Sequence, residues 1–360
     1  MLEVIIKRDL SGFNLDVDLA VNREILSILG PSGSGKTMTL LCIAGLIRPD
    51  QGWIKLNGRT LFSSEEGIFI IPQKRKIGFV FQNYALFPHM TVAENIAYSM
   101  HGRPGKEVKS RVNELLELLH IPALRNRYPK EISSGQQQRV ALARAVAPEP
   151  EALLLDEPFS ALDTYRRERL EFELLALYRH YKGDVLFVTH DLEQGFKLGK
   201  RLAIYDHGQI VQCEDREVVI SAPKNRTAAR LTGVKNLFDG MITGISQRNV
   251  KVFVPEFETT FKVKTTNRSG YDFNQMVVMG IRPEHIENVE QVKDNTISCR
   301  AWQLADGVAS VHCHYYAVTD RQKRYNIEVN RPKPLFPFCF KEGKPYRLYF
   351  PPEKLIVLEE

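Results

Sequence analysis

The order of apolar and polar residues predicts a first region that mixes strands and helices. Residues 1–24 alternate apolar and polar positions, which predicts two antiparallel strands. Mainly apolar runs at 25–29, 152–155 and 185–188 are typical of strands buried on both faces of a parallel sheet. The pattern therefore indicates an α/β domain at this end of the chain.

Helical periodicity is strongest between these strands. Apolar residues recur every three or four positions from 91 to 119. Ser133 and Ser134 are typical caps for a helix from about 135 to 146, and charged i,i+4 pairs predict a further helix over 166–177. We therefore expect a mainly α-helical insert at about 84–150.

The pattern changes near residue 233. Eight short alternating segments, separated by Gly, Asn, Asp or Pro, predict an all-β domain of small barrel type from there onward. These segments are 234–245, 250–253, 260–263, 275–281, 296–301, 308–314, 325–329 and 345–350. We therefore divide the chain into domains 1–232 and 233–360, which suits its length of 360 residues.

Composition narrows the classes of function. The formal charge of +6 is modest and its basic residues are interspersed with acidic ones, unlike the basic face of a nucleic-acid binder. No stretch approaches the roughly 18 apolar residues of a membrane-spanning helix, and the first residues lack the apolar core of a signal peptide. Five scattered cysteines without C-x-x-C spacing fit free thiols, so we expect a cytosolic protein.

The sequence GPSGSGKT at 30–37 satisfies the pattern G-x-x-x-x-G-K-[ST] between an apolar run and a helical segment. Its glycines let consecutive backbone N–H groups point at phosphate oxygens, Lys36 supplies a mobile charge, and the Thr37 hydroxyl can bind Mg²⁺. A glycine-rich turn that merely links strand and helix is the alternative, but the full motif favours a nucleoside triphosphate site. The candidate contacts are Gly30, Pro31, Ser32, Gly33, Ser34, Gly35, Lys36 and Thr37.

Two carboxylates and a histidine follow the apolar runs. Asp156 can hold Mg²⁺ directly or through a water, and Glu157 can polarise a water at the γ-phosphate. The alternative is that this pair caps the following helix. His190 comes just after the run at 185–188, where it can reach the same phosphate.

Three further observations stay open on the residues alone. Gln82 after the strand at 77–81 is by itself a polar strand end. Phe13 can stack on adenine, although its alternating context favours core packing. His312 and His314 share one face of a strand, but no third ligand accompanies them, which disfavours a metal site.

Together these motifs resemble the ATP-binding subunit of ABC importers over essentially the whole chain. Residues 132–136 (ISSGQ) match the L-S-G-G-Q signature, Gln82 the Q-loop glutamine, 160–163 the D-loop and His190 the switch histidine. The resemblance implies Glu157 as catalytic base with His190 and Gln82 beside it. It also implies that Thr37, Gln82 and Asp156 hold Mg²⁺. The further nucleotide contacts that it implies are Ser133, Ser134, Gly135, Gln136 and Asp163.

The resemblance also implies the architecture and the mechanism. The fold would be a P-loop ABC ATPase domain with an antiparallel β arm and an α-helical insert. An all-β barrel-like domain of the OB or TOBE type, regulatory or dimerising, would follow it. Two copies would face head to tail and hydrolyse ATP with Mg²⁺, each site combining the loop 30–37 of one copy with the signature of the other.

The implied partners lie at a membrane. Permease subunits would meet an apolar surface made of Tyr84, Leu86, Phe87, Pro88 and His89. The alternative is that these residues pack only within the helical insert. An extracytoplasmic solute-binding protein would take part indirectly. The subunit would then lie peripherally on the cytoplasmic face of the cell membrane.

The chain departs from the family pattern in two places. Ser134 replaces the first signature glycine and Ile132 its leucine, and we expect the added β-carbon at 134 to slow closure without inactivating the enzyme. The N-terminal arm is short where the family carries its adenine-stacking aromatic, which leaves the role of Phe13 open.

The cargo is the least specific expectation. The short arm and residues 71–75 and 80–89 look most like molybdate-importer ATPases, so we expect an oxyanion, with sulfate, ferric ion, polyamine or sugar as alternatives. Arg282 and Lys235 are candidate donors for oxyanion binding by the second domain. A non-transport ABC ATPase of translation or DNA repair is less favoured, because those resemblances bring two fused ATPase halves or a long coiled-coil insertion.

Overall fold

The structure, a computed structural model, describes residues 1–10, 12–160, 164–181, 183–265, 270–318, 324–333 and 341–359. They form two compact units, Met1–Glu217 and Val218–Glu360. This boundary lies earlier than the expected one between 232 and 233. The difference arises because Ala229, which precedes the all-β pattern, packs with Val278 and Leu358 of the second unit.

The first unit is built on one mixed sheet, in which eleven strands lie within the described residues. They are β1 (Leu2–Leu10), β2 (Phe13–Val21), β3 (Ile25–Leu29), β4 (Gln51–Leu56), β5 (Arg59–Ser63), β6 (Ile68–Phe69), β7 (Ile77–Val80), β8 (Ala152–Asp156), β9 (Asp184–Val188), β10 (Arg201–Asp206) and β11 (Gln209–Asp215). Their order across the sheet is β6-β5-β4-β1-β2-β11-β10-β3-β9-β8-β7. Strands β10, β3, β9, β8 and β7 pair in parallel, whereas β1 and β2 pair antiparallel, as predicted.

The helices of the first unit begin where local capping allows. They are α1 (Lys36–Ala44), α2 (Val92–Tyr98), α3 (Gly105–Leu118), α4 (Ser134–Val146), α5 (Thr164–His180) and α6 (Leu192–Leu198), with short 3₁₀ turns at Pro72–Lys74, Pro122–Leu124 and Pro129–Glu131. Thr91 caps α2 in a reciprocal box with Glu94, and Asp191 accepts the first N–H groups of α6. Helices α2, α3 and α4 form the expected insert, and Val92, Leu115 and Val140 lie in its buried core.

The parallel strands determine where a ligand can meet the sheet. Every residue of β3, β8 and β9 is buried, which explains why their sequences are mainly apolar. Because these strands are parallel, Leu29, Asp156 and Val188 end at the same edge. Ligands bind at this edge in open α/β sheets.

The second unit begins with two short helices, α7 (Arg216–Ser221, which spans the boundary) and α8 (Arg226–Leu231), followed by strands. They are β12 (Asn236–Ile245), β13 (Asn249–Val254), β14 (Thr259–Lys264), β15 (Met276–Ile281), β16 (Glu287–Asn288), β17 (Thr296–Asp306), β18 (Ser310–Val318), β19 (Arg324–Pro332), β20 (Pro345–Tyr349) and β21 (Ile356–Glu359), with a 3₁₀ turn at Pro283–His285. Two antiparallel sheets form, in the orders β14-β13-β12-β15-β21 and β16-β20-β17-β18-β19.

The prediction of an all-β second domain is confirmed. All eight alternating segments are strands, and their inward side chains form one apolar cluster that includes Phe261, Tyr315 and Phe350. The sequence analysis missed β16, which has only two residues, and β21, whose sequence IVLE begins with three apolar residues and does not alternate. Over the described part of the chain, no helix is both long and apolar enough to cross a membrane.

Candidate nucleotide site

The turn from β3 to α1 has the geometry of a phosphate loop. Gly33 and Gly35 adopt left-handed conformations with φ of 78° and 103°, which a residue with a side chain rarely adopts. A β-carbon on Gly30 would lie 2.8 Å from the Tyr205 carbonyl oxygen. The loop is further held by the Gly208 N–H, which donates to the Ser34 carbonyl at 3.0 Å. Glycine at these positions therefore lets the backbone turn tightly ahead of the N-terminus of α1.

Lys36 is folded back into this loop. Its ammonium donates to the carbonyls of Gly30 and Pro31, each at 2.8 Å, and the residue is 6% exposed. Burial lowers its pKa, while the carboxylates of Glu157 and Asp156 oppose that shift. Neutral carbonyls are weaker partners for an ammonium than charged oxygens, so the arrangement favours an anion beside Lys36.

Thr37 and Asp156 meet across the edge of the sheet. The Thr37 hydroxyl donates to Asp156 Oδ1 at 3.1 Å, and Asp156 is 4% exposed at the end of β8. Burial raises the pKa of this carboxyl, against the effect of the Thr37 hydrogen bond. A hydroxyl and a desolvated carboxylate are hard oxygen ligands, the type that Mg²⁺ prefers.

Glu157 lies at the centre of a second group. Its Oε2 is 3.1 Å from His190 Nδ1 and 3.5 Å from Gln82 Nε2, so three strand ends supply one cluster. Glu157 has φ of 42°, and its N–H donates to the Val188 carbonyl at 3.0 Å. Its carboxylate therefore meets Gln82 and His190.

The signature segment is a helix start. Ser133 caps α4 by accepting the Gln136 N–H, while the Gln136 side chain accepts the Ser133 N–H at 2.9 Å. Ser133 is exposed, Ser134 half-buried and Gly135 buried. Among the described residues, no hydrogen bond or ion pair joins this segment to the loop 30–37 of the same chain. Asp163, expected in the D-loop, lies outside the described residues.

Phe13 has the core-packing role considered for it, and its stacking on adenine stays a prediction. Its ring is half-buried and joins the apolar cluster of the β1–β2 arm. A β-carbon on Gly35 would lie 3.3 Å from its ring, and one on Gly208 would lie 2.9 Å from it. The aromatic ring is therefore packed in the core and also lies beside the phosphate loop.

The surface after Gln82 differs from the expectation in one residue. Tyr84 is 5% exposed and packs in the core of the insert, so its assignment to an exposed surface was wrong. Leu86 and Phe87 are half-buried, and Pro88 and His89 are exposed. The turn buries Tyr84 because its left-handed backbone, with φ of 62°, directs the side chain inward.

Sequence reasoning missed three polar residues that organise this region. Arg75 is fully buried and donates to the carbonyls of Ile43 and Cys42 at the end of α1. Arg144 and Asn95 hold the chain after Gln82. A charged or amide residue inside an otherwise apolar stretch, as in ALARAVA around Arg144, is the signal that identifies such positions.

The candidate sites of the second unit are engaged in other contacts. Arg282 donates to the carbonyls of Ile220 and Thr232, and Lys235 pairs with Glu328 at 2.7 Å. Each of these side chains thus has a structural contact within the second unit, and oxyanion binding by the second domain stays a prediction. His312 Nδ1 lies 3.8 Å from the Glu328 carboxylate. Within the described ranges, no group of three or more His, Cys, Asp or Glu side chains is arranged to hold a metal ion.

Comparisons with known proteins agree with this geometry. The family described as ABC transporter matches residues 14–160. The spermidine/putrescine import ATP-binding protein PotA of Nitrosospira multiformis is 38% identical, over 78% of this chain and 77% of its own length. The sulfate/thiosulfate import ATP-binding protein CysA of Caulobacter vibrioides is 44% identical over 64% and 68%, and the trehalose/maltose import ATP-binding protein MalK of Thermococcus litoralis is 38% identical over 73% and 71%. A solved dimeric ATP-binding cassette in a post-hydrolysis state with ADP and Pi superposes with a TM-score of 0.52 at 30% identity, covering 60% of this chain and 99% of that one.

Proposed function

Since this chain belongs to the ABC transporter family as an importer-type ATPase, we propose that it powers uptake of a solute through a separate membrane permease. The observation that carries the proposal is the clustering of Lys36, Thr37, Asp156 and Glu157 at the carboxyl edge of the parallel strands. A phosphate loop, a metal-binding pair and a carboxylate for water activation are the parts that hydrolysis of a nucleoside triphosphate needs.

In this proposal each side chain at the edge has one task. The loop N–H groups of residues 30–35 and the Lys36 ammonium bind the β- and γ-phosphates. Glu157 orients the attacking water and accepts its proton, and His190 donates a hydrogen bond to the γ-phosphate. Gln82 Nε2 donates to Glu157 Oε2 at 3.5 Å, and His190 Nδ1 lies 3.1 Å from the same oxygen. These two contacts hold the Glu157 carboxylate in place before the nucleotide binds.

The same residues suit Mg²⁺. Thr37 Oγ1 and the buried carboxylate of Asp156 would hold the ion, with Gln82 as a further oxygen ligand. When bound, Mg²⁺ offsets the negative charge of the phosphate oxygens. The raised pKa of Asp156 supports this assignment, because a desolvated carboxylate gains most from a cation.

We propose a head-to-tail dimer of two copies. Ser133, Ser134, Gly135 and Gln136 of one copy, with Asp163, would contact the nucleotide held by the loop of the other. Exposure of Ser133 at a capped helix N-terminus supports this, since such an end attracts phosphate. The similar solved cassettes are described as dimeric.

The permease would dock on the surface that contains Leu86, Phe87, Pro88 and His89. Two of these residues are half-buried and two exposed, as in the rim of an interface. This docking would hold the subunit peripherally at the cytoplasmic face of the membrane, with an extracytoplasmic solute-binding protein delivering the cargo.

We propose a broader set of candidate solutes than the oxyanion expected from the sequence. The similar relatives are named for spermidine/putrescine, sulfate/thiosulfate and trehalose/maltose import. None of these names indicates molybdate, which rests only on the short arm and the segments 71–75 and 80–89. We therefore keep molybdate as one arm of a test that includes sulfate, putrescine and maltose.

Uptake measurements test the proposal. Lys36→Ala removes the ammonium that binds phosphate, so accumulation of one of the four solutes should fall at least tenfold, the size expected for loss of a charge-stabilising group. Lys55→Ala is the control and should leave uptake unchanged. Lys55 is a half-buried lysine of β4 whose ammonium lies 4.8 Å from the centre of the Trp53 ring. Import of these solutes would be contradicted if Lys36→Ala retained uptake of all four while the purified wild-type protein hydrolysed ATP.

A further inference from the structure

Two adjacent residues after Gln82 adopt backbone conformations that non-glycine residues rarely adopt. Tyr84 has φ of 62° and Ala85 has φ of 44°. Left-handed conformations are disfavoured for residues with a β-carbon and persist where neighbouring groups hold them. The neighbouring groups here come from two helices of the insert.

Arg144 of α4 holds the left-handed turn through both arms of its guanidinium. One Nη donates to the Tyr84 carbonyl and the other to the Ala85 carbonyl, each at 2.7 Å. The guanidinium carbon also lies 5.4 Å from the centre of the Phe87 ring. Burial lowers the pKa of Arg144, in keeping with a cation that has left water to make these bonds. The planar guanidinium holds its two Nη groups side by side in a fixed geometry, so each of them meets one of the two carbonyls.

Asn95 of α2 holds the next residues. It is fully buried, and its Oδ1 accepts the Phe87 N–H at 2.9 Å. Its Nδ2 lies within hydrogen-bond distance of the carbonyls of Phe87, Met90 and Thr91, at 3.0–3.1 Å. Residues 84–91 are therefore tied to α4 at one end and to α2 at the other.

Gln82 belongs to a different neighbourhood. Its side chain is directed to Glu157 at the end of β8, on the sheet that carries the nucleotide site. Two residues later the chain is bound to the helical insert. Between them the Tyr84 N–H donates to the Phe81 carbonyl at 2.9 Å and the Ala85 N–H to the Asn83 carbonyl at 2.7 Å, so residues 81–85 form a turn that links the sheet to the insert.

We propose that Arg144 is a positioning residue that fixes the turn at 84–85, and with it segment 84–91, to α4. The start of the same helix carries Ser133, Ser134, Gly135 and Gln136. One rigid helix of 13 residues would thus join the surface for the permease to the segment that meets the partner's nucleotide. The partners that we assign to the two ends of α4 rest on the proposed function, whereas the attachment of segment 84–91 to α4 does not.

Amide hydrogen exchange on the full-length, nucleotide-free protein tests the rigidity directly. In Arg144→Met both carbonyls lose their donor, and amides of residues 84–91 should exchange at least tenfold faster, while α1 and α3 exchange as before. Arg144→Lys keeps the charge without the planar fork, so exchange of residues 84–91 should be intermediate between the wild type and Arg144→Met. Arg103→Met is the matched control, because Arg103 also donates to an insert carbonyl, that of Pro148, but does not contact the segment.

The exchange rates distinguish a specific contact of Arg144 with segment 84–91 from a general role of Arg144 in packing the insert. Unchanged exchange at 84–91 in Arg144→Met would overturn the proposal, and so would an equal increase across α2, α3 and α4, which indicates general packing. Exchange in Arg144→Lys equal to that of wild type would overturn the fork geometry.

A second measurement separates this inference from the proposed function. The non-hydrolysable analogue adenylyl imidodiphosphate with Mg²⁺ should slow exchange of wild-type residues 77–83 and 84–91 together, and in Arg144→Met only of 77–83. Slowing of both segments in Arg144→Met would overturn the role of Arg144. If the analogue changed no peptide of the wild type, the ATPase proposal would fail, and the nucleotide-free comparison would still decide the rigidity.

Discussion

Charged side chains of the nucleotide site are buried against a free-energy cost. Asp156 and Lys36 are 4% and 6% exposed, and burial shifts the pKa of each towards its neutral form. Their partners before nucleotide binding are a threonine hydroxyl and two backbone carbonyls. Such groups are retained for what they bind, since an ion and a phosphate compensate them better than the protein does.

Asp156→Asn should therefore raise the thermal unfolding temperature of the nucleotide-free protein. The pKa of Asp156 is raised in the folded state, so its contribution to stability is present at low pH and is lost as pH rises through that pKa. Near neutral pH the buried charge is destabilising, and the neutral amide removes it. The same change should lower ATP hydrolysis about 100-fold, because a ligand of the metal is lost.

Calorimetry at two pH values checks this prediction. The stabilisation should shrink as pH falls through the raised pKa of this carboxyl, because the wild-type side chain then becomes neutral by itself. Asp184→Asn is a matched control, because Asp184 is equally buried but accepts the Arg23 N–H at 2.6 Å, so its replacement should not stabilise. A lower unfolding temperature for Asp156→Asn at pH 7 would contradict the argument.

At the scale of elements, α4 has to be a helix and a binding surface at once. Its capping box satisfies the first N–H groups through Ser133 and Gln136, which stabilises the helix by about 1 kcal/mol. The N–H groups between them, of Ser134 and Gly135, are the ones that would bind a partner's phosphate. Ser134 occupies the first helical position, where a β-carbon narrows the approach.

Ser134→Gly should speed turnover. Removing the β-carbon lets the backbone approach the partner's nucleotide, so we expect kcat to rise about twofold to fivefold, a barrier change of below about 1 kcal/mol. The unfolding temperature should fall slightly, because glycine costs up to about 1 kcal/mol in a helix.

Steady-state ATPase assays on purified protein measure this change. Ser133→Ala is the contrasting variant, since it removes the cap and the hydroxyl that faces the partner, and should lower both kcat and stability. Equal or slower turnover in Ser134→Gly would show that the β-carbon does not limit closure.

At the scale of the whole molecule, the chain carries only part of each proposed catalytic site. The loop 30–37, Asp156 and Glu157 lie on one sheet edge, while the described contacts of Ser133 and Gln136 stay within their own segment. A second copy would complete the site.

Glu157→Gln should trap that assembly. The amide keeps the contacts to Gln82 and His190 but cannot accept a proton, so hydrolysis should fall at least 100-fold while ATP binding persists. With MgATP the variant should elute as a dimer in size-exclusion chromatography with light scattering, and without nucleotide as a monomer.

A variant with a charged side chain at the proposed contact with the second copy provides the control. Glu157→Gln combined with Ser133→Arg should bind ATP yet remain monomeric, because a bulky side chain blocks the helix end. A monomer in Glu157→Gln with saturating MgATP would contradict the head-to-tail arrangement, and unchanged hydrolysis would remove Glu157 as the base.

The sequence by itself determined the elements whose physics is local. Alternation in 1–24 and from 233 onward predicted the paired strands, and apolar runs predicted β3, β8 and β9. The motif at 30–37 predicted a phosphate loop because glycine, lysine and threonine have to stand at fixed spacing in one turn. The pair Asp156 and Glu157 was identified because it directly follows a buried strand.

Tertiary structure alone decided which distant residues meet. The 3.5 Å contact of Gln82 with Glu157, and the bonds of Arg144 to a turn some 60 residues earlier, depend on how strands and helices pack, and no local pattern records that packing. The same holds for Tyr84, whose burial follows from a left-handed turn, and for Arg282 and Lys235, whose charges are used by carbonyls and a carboxylate far along the chain. Local sequence specifies periodicity and turn chemistry, whereas the partner of a buried polar group is specified only when the chain has folded.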